Sequence, residues 1–144
     1  FDAGMFTRRL LPTRLRHAAI SVSVSTPRET YSVGESVPFE VRMKNALPMP
    51  VTVAVDSPVR WTWSVDGHVE ASRVDRHDPP DQRTAFDFDR GERKRFRKRW
   101  NGSFQVGERE WEHATPGEYT IGAGLNVADP AGRGLYDETT VRLE

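Results

Sequence analysis

The sequence predicts an all-β fold, an antiparallel sandwich of about seven to nine short strands. Val59, Trp61, Trp63 and Val65 fall on one side of an extended chain, with Arg60, Thr62 and Ser64 on the other. That is the pattern of a half-buried strand over a large core. Turn signals built from Gly, Pro, Asn and Asp recur about every ten residues, and almost no stretch carries the period of a helix.

The elements follow in order. Residues 1–17 are basic and partly apolar, with Pro12 interrupting any helix, and read as an N-terminal arm; the sandwich domain is expected over 18–144. Ile20, Val22 and Val24 alternate with serines. Val37, Phe39, Val41 and Met43 alternate with Pro38, Glu40, Arg42 and Lys44, an apolar-in, polar-out strand. Val51, Val53 and Val55 make the next strand, after a loop containing Leu47, Pro48, Met49 and Pro50. Trp61 and Trp63 lie on a fourth, which Asp66-Gly67 turns into a hairpin. Residues 72–83 are polar, carry Pro79-Pro80 and read as an exposed loop. Strand patterns return at Phe86–Phe88, 96–100, 104–106, 119–127 and 139–143. Phe39, Val41, Trp61, Trp63, Tyr119 and Ile121 are expected to meet in one core between two sheets.

Composition narrows the function. At 144 residues the chain can bury a core without staples, and it has no cysteine for disulfides or thiolate metal sites. Lys+Arg and Asp+Glu stand at 21 each, so the overall charge points to neither a nucleic-acid partner nor a membrane surface. No apolar run is long enough to span a bilayer. Thr7-Arg8-Arg9-Leu10-Leu11 lacks the apolar stretch of an export signal, so a cytoplasmic protein is expected; a leader preceding Phe1 would make it exported or cell-surface instead.

Four segments taken together resemble the intracellular proteinase inhibitor (BsuPI-like) domain family: Lys44-Asn45 followed by Pro50-Val51; Trp61 to Gly67; Phe96 and Trp100 after Gly91-Glu92; and Pro116-Gly117-Glu118-Tyr119-Thr120. Asp56-Ser57-Pro58 departs from that family's short turn before the aromatic strand. The resemblance implies an immunoglobulin-like sandwich, and it implies non-enzymatic binding of a protein, a subtilisin-like serine protease among the partners. The alternative is a structural or accessory module of a surface or envelope assembly.

No nucleophile elbow, phosphate-binding loop or dinucleotide glycine pattern occurs, and no enzyme and no cofactor are expected. Asp75, His77, Asp78 and Asp81 cluster, but their spacing fits no known metal loop and the Pro79-Pro80 turn accounts for them, so no metal is expected. Leu47 and Met49, framed by prolines in a connecting loop, are the candidate partner-binding residues. Arg93, Arg95, Arg97 and Arg99 form a candidate basic surface on one face of a strand, with Lys94, Phe96, Lys98 and Trp100 on the other. Acids from the segment Asp87–Asp89 are expected to pair with it, leaving a solvated edge rather than a nucleic-acid site.

Overall fold

Alternating side chains become strands where one face can be buried, and twelve strands form among the described residues, although one, Glu110–His113, is exposed at every position. The computed structural model describes residues 19–74 and 83–144. The strands are β1 (Ile20–Ser25), β2 (Thr30–Tyr31), β3 (Val37–Asn45), β4 (Val51–Val55), β5 (Trp61–Val65), β6 (His68–Val69), β7 (Thr84–Phe88), β8 (Arg93–Trp100), β9 (Ser103–Gly107), β10 (Glu110–His113), β11 (Gly117–Leu125) and β12 (Tyr136–Leu143). The expected arm at residues 1–17 and the cluster Asp75, His77, Asp78 and Asp81 lie outside the described residues.

Two sheets face each other. One has the order β1-β3-β8, and the other β2-β12-β11-β5-β6; β4-β7 and β9-β10 form separate two-stranded ladders. Among the described residues every strand pairing is antiparallel except β2 with β12, and an isolated parallel bridge joins Ser72 to Gln105. The fold is an all-β, immunoglobulin-like sandwich. Alternation predicted an antiparallel sandwich of about seven to nine strands. Twelve form among the described residues because two-residue pairings such as β2 and β6, too short to show a period, add to them. Tyr119 supports that architecture in detail: its hydroxyl donates back to the Thr115 carbonyl at 2.7 Å, the tyrosine corner of such sandwiches.

The core differs from expectation in its aromatic centre. Phe39, Val41 and Ile121 are buried, but Trp61, Trp63 and Tyr119 are only half-buried and pack against the core from its margin. Trp100, 1% exposed, takes the central place. Its ring lies 5.3 Å from Tyr119 and 5.6 Å from Phe104, and its Nε1 donates to the Ser103 carbonyl at 2.9 Å. Trp61 and Trp63 sit on a strand near the open side of the sandwich, where only β6, two residues long, follows.

Backbone conformation is explained at two places. Asp66 and Gly67 both have positive φ (49° and 81°), as a two-residue hairpin turn requires, and glycine takes the more demanding one at no steric cost. Gly122 and Gly124 instead answer a close approach. They stand opposite Glu138 and Tyr136 on β12, and the Tyr136 ring lies against both. A Cβ at Gly122 would collide with its hydroxyl, and one at Gly124 would crowd the ring and the Leu135 carbonyl oxygen at 3.0 Å. Burial raises the Tyr136 hydroxyl above its ordinary pKa, and its hydrogen bond to Glu138 (3.0 Å) adds to the effect.

Strands β3 and β4 form one bent ribbon with β8 and β7. β3 pairs with β8, β4 pairs with β7, and residues 46–50 face the turn 89–92 across the bend. The apolar loop therefore interrupts a ladder rather than capping an end of the sandwich.

Candidate functional site

Asn45 shapes that interruption. It is fully buried (0% exposed) at the end of β3. Its Oδ1 accepts from the Leu47 amide at 3.0 Å, and its Nδ2 donates to the Met49 carbonyl at 2.8 Å and the Asp89 carbonyl at 3.0 Å. The Gly91 amide donates to the Leu47 carbonyl at 3.2 Å. The loop is thus held in one shape before any partner arrives. Leu47 is half-buried and packs against the core cluster; Met49 is half-buried, and Ala46 and Pro48 are exposed.

The candidate basic surface is larger than the four arginines. β8 alternates as expected: Arg93, Arg95, Arg97 and Arg99 are exposed, whereas Trp100 is buried and Lys94 and Phe96 are half-buried. Its neighbour is β3, with Arg42 opposite Arg95, Lys44 opposite Arg93, Glu40 opposite Arg97 and Pro38 opposite Arg99. On the far side of β3, Ser21, Ser23 and Ser25 of β1 complete the same face. Six cations share this face with one carboxylate, Glu40.

The expected pairing with Asp87 and Asp89 does not form. β7, which carries Asp87, pairs with β4, and Asp87 accepts a hydrogen bond from Thr52 there at 2.6 Å. Glu40 takes that part instead, 3.1 Å from Arg42 and 2.6 Å from Arg95. Partial burial raises its carboxyl pKa, but the hydrogen bond from Arg42 and the charges of Arg42, Arg95 and Arg97 outweigh this and hold it below the ordinary range. Among the described residues Lys44, Arg93, Arg97 and Arg99 make no ion pair. A shallow groove of about 250 Å³ between Ser21, Ser23, Arg42, Lys44, Arg93 and Arg95 gives the face some relief. Arg42 and Lys44 were visible in the sequence as outward residues of β3, but alternation does not tell which strand lies alongside.

Behind the β8 edge runs a second groove, of about 410 Å³, whose walls include Val59, Trp61, Trp63, Phe86, Phe96 and Lys98. The rings of Trp61 and Phe96 are 4.9 Å apart, and the Lys98 ammonium lies 5.7 Å from the Trp61 ring. The half-burial of the two tryptophans is a consequence of this opening.

Elsewhere the chemistry is structural. Ser103 Oγ lies 3.1 Å from His113 Nδ1, but the two are cross-strand partners in the β9–β10 ladder and Ser103 is buried. The His68 ring packs edge-on to Phe104. Among the described residues no group of acidic and histidine side chains is arranged to hold a metal ion, and no helix is long and apolar enough to cross a membrane.

The matching family model spans residues 8–144. The chain belongs to DUF7974, a family of unknown function. No curated protein sequence matches it significantly. Among solved structures, this DUF7974 chain is similar to a CARDB domain from Pyrococcus furiosus, at 14% identity over 87% of this chain and 94% of that one, with a TM-score of 0.52. It is also similar to part of a β-glucosidase from Erythrobacter marinus, at 11% identity and a TM-score of 0.51, covering 87% of this chain but 15% of that one. At these identities the likeness shows the fold alone.

Proposed function

We propose that the chain is a non-enzymatic protein-binding domain that presents the outer face of the β1-β3-β8 sheet to an acidic partner. The observation that carries this is the concentration of Arg42, Lys44, Arg93, Arg95, Arg97 and Arg99 on one face, against Glu40 alone, in a chain whose charges balance only as a whole, at 21 of each sign. Like charges directly opposite one another weaken a sheet, and Arg42 with Arg95 and Lys44 with Arg93 are such pairs. An acidic partner neutralises them and speeds its own docking. A protein fits better than single-stranded nucleic acid, because bases need aromatic platforms and the ring on β8 nearest this face, Phe96, points to the other side.

The test uses defined probes. Fluorescence anisotropy with labelled polyglutamate should show binding that weakens as salt rises and is lost in the variant Arg93→Ser, Arg95→Ser, Arg97→Ser, Arg99→Ser. Tighter binding of an oligothymidine at the same ionic strength would replace the protein partner by a nucleic acid. No binding of either probe would remove the proposal.

A second reading is inhibition of a subtilisin-like protease, implied by the sequence resemblance. What favours it is the loop held rigid by Asn45, which carries Leu47 and Met49. Because Leu47 packs inward, the exposed Ala46 and Pro48 would meet the enzyme first. Residual subtilisin activity at micromolar chain concentration tests it, and full activity would dismiss it.

A further inference from the structure

The β8 strand ends its sheet, and the direction of its free backbone groups can be worked out. The Asn45 amide donates to the Glu92 carbonyl at 2.9 Å, while the Glu92 amide turns to the Asp89 carbonyl, so this one bond at the end of the β3–β8 ladder sets its phase. In an antiparallel ladder hydrogen-bonded pairs alternate with unbonded ones. Lys94, Phe96, Lys98 and Trp100 therefore turn their N–H and C=O toward β3, while Arg93, Arg95, Arg97 and Arg99 turn theirs outward. Among the described residues no strand pairs with that side. The opposite edge of the sheet is treated differently: the β1 amide of Val24 is capped by Asp137 Oδ2 at 2.8 Å.

We infer that β8 accepts an added antiparallel strand from a partner protein, an extended segment in which acidic and apolar residues alternate. This rests on the reading of the basic face as a protein-binding surface and specifies its ligand. Residues of the added strand directly opposite the arginines share their face, at a repeat of about 6.8 Å for alternate positions. Carboxylates there meet Arg93, Arg95, Arg97 and Arg99 in turn. The intervening side chains point to the other face, over the groove where the rings of Trp61, Trp63, Phe86 and Phe96 offer apolar surface between Arg60, Glu70 and Lys98. A second copy of this chain does not fit, because pairing β8 with β8 sets arginine against arginine. The arginines thus keep copies apart and admit an acidic strand.

The phase of the backbone bonds supplies a sharp test. An eight-residue peptide alternating Glu and Val is compared with a peptide of the same composition in one Glu block and one Val block, and with alternating peptides N-methylated at either the Glu or the Val amides. Isothermal titration with the whole chain should show the alternating peptide binding at least about tenfold tighter than the block peptide. Methylation at Glu removes the amides that face β8 and should abolish this advantage, whereas methylation at Val should leave it. Hydrogen exchange at the Arg95 and Arg97 amides should slow on binding. Equal affinity for the alternating and block peptides, both lost on replacing the four arginines with serine, would overturn strand addition and leave the basic-face reading standing. Loss on Val methylation alone would overturn the antiparallel arrangement. Failure of every peptide to bind would overturn both readings.

Discussion

Replacing Asn45 with Ala tests whether one side chain shapes the bend between β3 and β4. The change deletes three hydrogen bonds, to the Leu47 amide and to the Met49 and Asp89 carbonyls, all within 3.0 Å. Each contributes about 1 kcal/mol net, and their partners are only partly open to solvent, so the expected loss is about 3 kcal/mol. The main-chain bond from residue 45 to the Glu92 carbonyl remains, so the ladder itself should survive. Urea denaturation followed by the fluorescence of the four tryptophans measures the loss. Exchange at the Gly91 amide, which bonds Leu47, reports the loop directly and should speed up. Asn45→Asp keeps an acceptor for Leu47 but sets a carboxylate against two carbonyls, so at neutral pH it should cost at least as much as Ala. A loss below about 1 kcal/mol for Asn45→Ala, with Gly91 exchange unchanged, would mean that the loop holds its shape without the clamp and would refute the reasoning.

Two further predictions concern stability. Trp100→Ala should cost roughly 3–5 kcal/mol, whereas Trp61→Ala at the groove margin should cost clearly less; equal losses by denaturation would contradict the placement of Trp61 at the edge of the core. Glu35, Glu40 and Glu92 are all held below the ordinary carboxylate range, Glu35 and Glu92 first by hydrogen bonds from the Ser32 and Asp89 amides respectively. Depressed values favour the folded state above the ordinary carboxylate pKa, and this contribution disappears as pH falls through the folded values. The melting temperature should therefore fall on acidification below about pH 4, and Glu92→Gln should flatten that fall; a melting temperature unchanged down to pH 3 would contradict it.

Much of the fold was legible because burial on one face imposes alternation. The outward arginines of β8 could be placed from period alone. What period does not give is the neighbouring strand. Asp87 and Asp89 were close in sequence to the basic run and pointed to a local pairing, but the chain bends at 89–92 and brings Glu40, Arg42 and Lys44 alongside instead. The same limit explains the tryptophans. Trp61 and Trp63 have the right phase for a core, yet phase cannot say that their strand lies near the open margin of its sheet. The clamp by Asn45 was half visible: a lone asparagine before a proline-framed loop marks a turn, but its bond to Asp89 spans 44 positions.

The Tyr136 ring lying against Gly122 and Gly124 constrains how this protein can change over generations. A Cβ at Gly122 would collide with the Tyr136 hydroxyl and force the ring aside, whereas at Gly124 it would crowd both the Leu135 carbonyl oxygen and the ring at 3.0 Å. A smaller residue at 136 would free Gly122, but it would leave the Leu135 carbonyl beside Gly124 and uncover the backbone of two glycines in the middle of a sheet. Positions 122 and 136 are therefore coupled, a side chain at 122 being accommodated most easily once 136 has shrunk, while Gly124 is held by the main chain as well. In descendants of this chain 122 and 136 should change together, and 124 should stay glycine on its own account.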